Sequence, residues 1–489
     1  MPADNSLPMS CIHRLHLPLM LVCAAIAASG CAQLPAQQAL PPIKTPDAFA
    51  SAESFRTEPA NWPADQWWTA YGDRQLNTLI DEALQDAPDL MAANARLQRA
   101  EAFAQVAGSS LMPQVNAGAN ISTDKLSYNH LMPKTPATEG WNDYGRVSID
   151  FTWELDFWGK NRAGLAAATS EREARRAEVA QTKLLLASGI AANYAELSRL
   201  HEKRQLAMQS SAIRKKTAEL LAKRHANGLE NRIGVRAADA ARAVTESDLL
   251  AIDEHIALQR NRIAALMGQG PDRGLAIEPP QLKLDKSFGL PSHLSADLLG
   301  RRPDIAAARL MVQAQSNRMK QKKAEFYPNV NLSAFIGLQA LGLDMLSKSG
   351  SGIGSFGPAI SLPIFNGGRL QAELRGANAA YVESMAHYNA TVAHALQDVA
   401  DAAVSQKSLV KRLGKAQEAV DAASETHRLA RNRYEGGLAT YLEVLSAEET
   451  LLASLEQQTN LRAQSWTLDI ALNRALGGGY LASSAPSPN

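Results

Sequence analysis

Between positions 147 and 157 hydrophobic and polar side chains alternate without a break. Val147, Ile149, Phe151, Trp153, Leu155 and Phe157 fall on one face of an extended chain, and Ser148, Asp150, Thr152, Glu154 and Asp156 on the other. One face is apolar and the other acidic. A second run with the same period sets Val330, Leu332, Ala334, Ile336 and Leu338 against Asn331, Ser333 and Gln339, and Phe356, Ile360, Leu362 and Ile364 mark its return strand. Val115, Ala117, Ala119 and Ile121 form a weaker partner for the first run. Elsewhere the period lengthens. No proline falls between Pro136 and Pro271, or between Pro363 and Pro486, so the spacing predicts uninterrupted helices. The stretch from Lys160 to Ala226 has 67 residues, which at a rise of about 1.5 Å each is roughly 100 Å of helix. Val392, Leu396, Val399, Ala403, Gln406, Val410, Leu413, Gln417 and Val420 alternate spacings of four and three, the mark of a heptad seam.

These patterns occur twice. Pro88-Asp89-Leu90 returns as Pro303-Asp304-Ile305, an offset of 215 that also relates Pro113 to Pro328. Phe157-Trp158-Gly159 returns as Phe365-Asn366-Gly367 at 208, and 224–229 (RHANGL) as 433–438 (RYEGGL) at 209. Each copy reads as short helix, β-hairpin, very long helix, glycine turn and second long helix. The seven residues missing from the second hairpin place its tip at a surface, where length changes disturb no packed backbone. Both long helices are predicted to end in a left-handed glycine turn, Asn227-Gly228 in one copy and Gly436-Gly437 in the other.

Four such strands are too few for a sandwich core, and the intervening segments are helical. Their length suits a bilayer, which a tilted strand crosses in roughly 9 to 11 residues, and Phe151, Trp153, Phe157 and Trp158 would sit on or near the lipid face. Four strands cannot close a barrel, and an open edge is forbidden in lipid. The chain must borrow strands from copies of itself, and three copies would supply twelve.

Composition narrows the compartment. A net charge of +1 offers no basic footprint, which disfavours a nucleic-acid partner. All three cysteines, Cys11, Cys23 and Cys31, lie in the first 31 residues, so the rest of the chain has neither a disulfide framework nor a thiolate metal site. Arg14 precedes an apolar run over 15–28, too short to span a membrane and typical of a secretory signal. Ala28, Ser29 and Gly30 then lead into Cys31. That junction resembles a bacterial lipobox, with Ala28 where leucine is usual, and makes Cys31 the expected acylated first residue after a signal peptide over 1–30. A proline- and alanine-rich tether (31–60), a first repeat (61–270), an inter-repeat linker (271–302), a second repeat (303–480) and a disordered tail (481–489) complete the predicted organisation.

Over 67–479 a series of motifs follows in order: Trp67-Trp68-Thr69-Ala70-Tyr71-Gly72-Asp73 with Leu76 and Leu79, Arg302-Pro303-Asp304-Ile305, and Phe326-Tyr327-Pro328. Leu362-Pro363-Ile364-Phe365-Asn366-Gly367-Gly368 and Arg433-Tyr434-Glu435-Gly436-Gly437 with Tyr441-Leu442-Glu443-Val444-Leu445 complete it. The series resembles that of the TolC-type outer-membrane factors, and among them the NodT-branch efflux lipoproteins. The resemblance implies a mixed α and β membrane protein: a homotrimer whose 12-stranded outer-membrane β-barrel, four strands per chain, continues into a long periplasmic α-helical barrel. It also implies a periplasmic adaptor and an inner-membrane pump as partners, and an exit duct for small organic compounds or drugs. Polypeptide secretion and metal-ion efflux are the alternatives within transport. A trimeric adhesin would place its strands at the C-terminus and would not be duplicated. The lipobox and Trp67-Trp68 lean towards drug or aromatic-compound efflux.

No catalytic constellation or cofactor is read from the chain beyond the lipid on Cys31. His387 and His394 share a helix face without a ligand cluster, and 350–357 (GSGIGSFG) reads as an extracellular turn leading into a strand, not a phosphate loop. The expected functional residues lie at the glycine turns. By the resemblance, Glu443 and Ser446 occupy aperture positions that are often aspartate, Gly234 replaces a first-copy acidic residue, and Arg236 and Glu448 stand close by. Asn227, Gly228, Leu229, Gly436, Gly437 and Leu438 are the expected adaptor-docking turns.

Overall fold

The computed structural model describes residues 44, 48–49, 53–129, 134–136, 138–283, 289–291 and 294–482. The predicted signal, Cys31, most of the tether and most of the tail lie outside the described residues. After a short 3-10 helix at Trp67–Tyr71, the first copy runs α1 (Arg74–Asp86), α2 (Pro88–Ser109), β1 (Gln114–Asp124), β2 (Asn142–Glu154), α3 (Lys160–Ala226) and α4 (Arg232–Leu266). Two short helices, α5 (Pro271–Leu275) and α6 (Leu294–Arg301), occupy the stretch expected as a linker. The second copy follows as α7 (Pro303–Ala324), β3 (Asn329–Leu341), β4 (Gly352–Ser361), α8 (Arg369–Glu435) and α9 (Tyr441–Ala475). The duplication is metrical: α2 and α7 have 22 residues each, α3 and α8 have 67, and α4 and α9 have 35. The hairpin tips span 125–141 and 342–351, which accounts for the seven-residue difference. Two compact units each draw on both copies: 99–173 with 310–386, and 43–98 with 174–309 and 387–489.

The first unit holds one antiparallel sheet in the order β1-β2-β3-β4, with β2 paired to β3 across the copies. Its register sorts the side chains into rows. Val115, Phe151, Ala334 and Phe356 lie side by side, as do Ala117, Ile149, Ile336 and Gly354. That face is exposed although apolar, with Ile336 at 68% and Phe356 at 78%. The rows between carry Asn116, Asp150, Phe335 and Ser355, then Gly118, Ser148, Gly337 and Ile353. The polar face is less purely acidic than expected, because Arg146 lies on it with its guanidinium 5.0 Å from the Phe335 ring. A Cβ on Gly337 would run into the Val147 carbonyl and Ser148, so glycine lets β2 and β3 approach.

Two strand ends differ from expectation. The alternation reaches Phe157, yet β2 stops at Glu154 because Asp156 turns back to cap α3, its carboxylate accepting from the Asn161 and Arg162 amides at 3.1 and 2.9 Å. Burial pushes the Asp156 carboxyl up, but these donors outweigh it and hold the group below its ordinary value. In 350–357, Gly352 onward is already strand, so the turn proper lies earlier. At the foot of the sheet Trp158 stacks on Tyr327 at 4.9 Å and donates to the Pro328 carbonyl, while Phe157 is 64% exposed.

In the second unit α4 meets α3 through Gln259 and Asn193 (2.8 Å), and α3 meets α9 through Arg199 and Asn460 (2.9 Å). Leu461 of α9 packs on Leu409 and Ala416 of α8. The helices thus follow one another as α4-α3-α9-α8, and the outer two keep apolar side chains in the open, Val244 and Leu250 on α4, Val404 and Val410 on α8. The heptad seam has the predicted period, and Val392, Leu396, Val399 and Ala403 are buried on it as expected. Further along, Leu409 and Ala416 are buried in place of Val410 and Gln417, one position earlier on the helix. Beside these helices Trp67, Trp68, Tyr71, Leu76, Leu79 and Ile80 form a core with Ile190, Tyr194 and Ile263. Tyr71 donates to Asp469 at 2.6 Å, Gly72 turns at φ 67°, and Asp73 caps α1. Trp67-Trp68 is therefore a packing motif.

The register assigns Ile336 to the lipid side and Ser333, on the opposite face, to the interior of the barrel. Lysine at Ile336, mid-strand, is expected to cost about 2–4 kcal/mol of folding stability in bilayers and lysine at Ser333 markedly less. Urea titration of refolding into vesicles measures both, and equal costs would refute the facing.

Candidate functional site

Each tip turn is a pair of matched devices. At the end of α3 the Leu229 amide donates to the Arg224 carbonyl (2.9 Å) and the Gly228 amide to the His225 carbonyl (2.9 Å). At the end of α8 Leu438 donates to Arg433 (2.8 Å) and Gly437 to Tyr434 (3.0 Å). Gly228 and Gly437 take φ of 73° and 74°, the left-handed conformation that such a helix terminus requires. Asn227 and Gly436 stand equivalently just before them. Leu229 and Leu438 are 67% and 75% exposed, and Ile233 and Leu442, four residues on, are exposed as well. Both tips therefore present the same pair of aliphatic side chains to solvent.

The following helices start differently. In α9 Thr440 is the N-cap and Glu443 closes a capping box, its Oε1 accepting from the Thr440 amide at 3.3 Å. Arg433 Nη1 lies 3.6 Å from the other carboxylate oxygen, in an exposed pair contributing about 0–1 kcal/mol. Glu443 is thus more than a solvated residue. In α4 the Asn231 side chain accepts from the Gly234 amide at 2.9 Å. Gly234 falls on Glu443 at the repeat offset of 209, so the first copy has no side chain at that point. Arg236 pairs with Asp239 at 3.3 Å, and Ser446 is exposed, its carbonyl accepting from Thr450. His387 and His394 are both exposed, and no three His, Cys, Asp or Glu among the described residues gather as a metal site.

Glu448 does not join Glu443. It is 4% exposed and faces Arg214 of α3, itself 6% exposed, with Nε 3.8 Å from Oε1. Neither of those two atoms has a hydrogen-bond partner. Burial pushes the Glu448 carboxyl above its ordinary range; Arg214 and His427 oppose the shift and Glu449 adds to it. Tyr441, raised chiefly by burial and next by Glu448, lies on the same face. Sequence reasoning missed this pair although a signal existed: spacings of three and four put Glu448 on the buried stripe of Tyr441 and Val444.

Removing one partner of this pair strands the other charge. Arg214→Met is expected to lower stability by about 3–5 kcal/mol, and adding Glu448→Leu to restore most of it. The native state binds the Glu448 proton more tightly than the unfolded chain does. Its contribution therefore weakens as pH rises from the unfolded glutamate value through the raised folded one, and Glu448→Gln should flatten that part of the profile. Thermal unfolding of the detergent-solubilised protein across this range checks both; a Glu448→Gln profile identical to the parent's would sink the assignment.

The same architecture is found in known proteins. The outer membrane efflux protein family matches this chain twice, over 79–269 and 294–478. The fusaric acid resistance protein FusA of Burkholderia cepacia is 36% identical over 371 residues, 74% of this chain and 69% of that protein. The multidrug resistance outer membrane protein MdtP of Escherichia coli K12 is 30% identical over 478 residues, 96% of this chain and 98% of its own. Among solved structures, the outer membrane protein VceC of Vibrio cholerae superposes with a TM-score of 0.81 at 46% identity, covering 86% of this chain and all of VceC. The outer-membrane channel OprN follows at 0.80 and 25%, covering 91% and 98%. An exposed apolar sheet face, a duplicated set of long paired helices and these relationships agree: the chain belongs to the outer membrane efflux protein family, whose trimers combine a β-barrel with an α-helical barrel.

Proposed function

We propose that this duct passes small organic compounds and drugs out of the cell, receiving them from an inner-membrane pump through a periplasmic adaptor. The observation that carries the reading is full-length similarity to an outer membrane protein named for multidrug resistance, MdtP, with FusA named for resistance to an organic acid. Repeats at 61–270 and 303–480 would supply its two halves. The exposed turns Asn227-Gly228-Leu229 and Gly436-Gly437-Leu438 are the docking points for the adaptor, and their matching aliphatic side chains support that role. The first turns of α4 and α9, with Gly234, Arg236, Glu443 and Ser446, form the periplasmic aperture. Cys31 carries the lipid that adds a second anchor to the barrel.

Deleting the gene is expected to raise sensitivity to organic acids and lipophilic drugs several-fold, with recovery from a plasmid copy only in cells that retain the cognate pump. Growth inhibition across a compound panel reads this out. Recovery without any pump, or unchanged sensitivity throughout, would remove the efflux assignment.

The anchor has its own test. Cys31→Ser should abolish incorporation of labelled fatty acid while the trimer still assembles, since the barrel alone holds the protein in the membrane. Label persisting in that variant rules out the lipobox.

A further inference from the structure

The two repeats differ in the first turn of the returning helix, where Glu443 in the second stands opposite Gly234 in the first. The loss is compensated in space. Glu230, four residues before Gly234, turns its carboxylate back so that Oε1 accepts from the Asn231 amide at 3.0 Å. Asn231 is the N-cap of α4, as Thr440 is of α9, and the Thr440 amide donates to Glu443 Oε1. A carboxylate therefore sits on the same backbone group in both copies. A Cβ built on Gly234 would lie 3.1 Å from Glu230 Oε1 and 3.3 Å from its Cδ, so Glu230 fills the volume a side chain at 234 would use. The arginines have parted as well. Arg433 approaches Glu443, whereas its counterpart Arg224 lays its guanidinium 5.3 Å from the Tyr434 ring centre, away from such a pairing.

We propose that Glu230 is the aperture carboxylate of the first repeat, moved in sequence but kept in place. The proposal rests on the reading of these turns as the aperture. Each chain then contributes two equivalent carboxylates, Glu230 and Glu443, and the trimer six rather than three. Glu230 adds three negative charges to an opening that also holds Arg236 and, beside Glu443, Arg433, and so shifts its preference towards cations.

The test is the potassium-to-chloride permeability ratio of the purified trimer, taken from reversal potentials in planar bilayers under a salt gradient. Glu230→Gln keeps the acceptor for the Asn231 amide and removes only the charge. It should lower the ratio by about twofold, as Glu443→Gln does. The transplant Glu230→Ala with Gly234→Glu, which returns the carboxylate to the position it holds in the second copy, should recover the parent ratio. If Glu230→Gln leaves the ratio unchanged while Glu443→Gln lowers it, the aperture reading stands and the role of Glu230 falls. A lowered ratio that the transplant does not recover would make Glu230 a cap and overturn the proposal. If neither single substitution changes the ratio, the aperture lies elsewhere and both fail.

Discussion

Two unpaired edges govern this molecule. The sheet begins at β1 and ends at β4, and among the described residues the outer backbone groups of both strands have no neighbouring strand, on a sheet with one apolar face. In hydrocarbon each unsatisfied amide or carbonyl costs several kcal/mol, so a row of them along one edge outweighs the whole stability of an ordinary domain. The helical unit repeats the condition in milder form. Its outer helices, α4 and α8, expose Val244, Leu250, Val404 and Val410, and burying these removes a smaller penalty, about 1.5–3 kcal/mol per side chain. The strand edges therefore compel association, and the helix edges specify how the neighbouring copy fits. Edges of both kinds are what association into the trimers of this family closes.

Internal duplication sets the lengths, and local chemistry then diverges within them. The equal helix lengths show how strongly the two copies are held to one geometry. Insertion inside a long packed helix would shift every later side chain around the axis, whereas insertion at the hairpin tip shifts nothing. Capping is free to vary because a helix start asks only that its first amides find acceptors. Asp156 caps α3 through side-chain oxygens, while α8 uses Asn366, whose carbonyl accepts from Arg369. Asn231 and Thr440 meet the same need with different side chains.

The legible parts of the sequence were those with a period. Alternation over 147–157 located β2 and its apolar face, the absence of proline left α3 uninterrupted, and the glycines at 228 and 436–437 marked both helix turns. Features set by close contact were less accessible. The seam on α8 held through Ala403 and then slipped by one position, to Leu409 and Ala416, because a strict seven-residue repeat drifts around a helix of about 3.6 residues per turn. Asp156 ended β2 early because a cap competes with the ladder, which alternation cannot register. The resemblance supplied Gly234 and Glu443 as matching positions; the carboxylate that reaches the first of them from Glu230 depends on a side-chain fold-back that no spacing rule encodes.

Two buried arginines of the helical unit show how packing can be firm in one place and yielding in another. Arg302 gives two bonds to Asp304, at 3.0 and 2.6 Å, one to Asp398 at 3.1 Å and one to the Ala475 carbonyl. Burial alone would lower its pKa, and these carboxylates outweigh it, so the charge is fully compensated and the start of α7 is tied to the end of α9. Arg214 has no such network. Its Nε and the Glu448 Oε1 stand 3.8 Å apart, both desolvated, and neither recovers a hydrogen bond for the water it gave up. Parting α3 from α9 at Arg214 therefore rehydrates two costly groups, whereas parting α7 from α8 and α9 at Arg302 breaks two bonds, those to Asp398 and to the Ala475 carbonyl. The helical unit is thus held more firmly at Arg302 than at Arg214, a difference that arises from the spacing between one arginine and one glutamate.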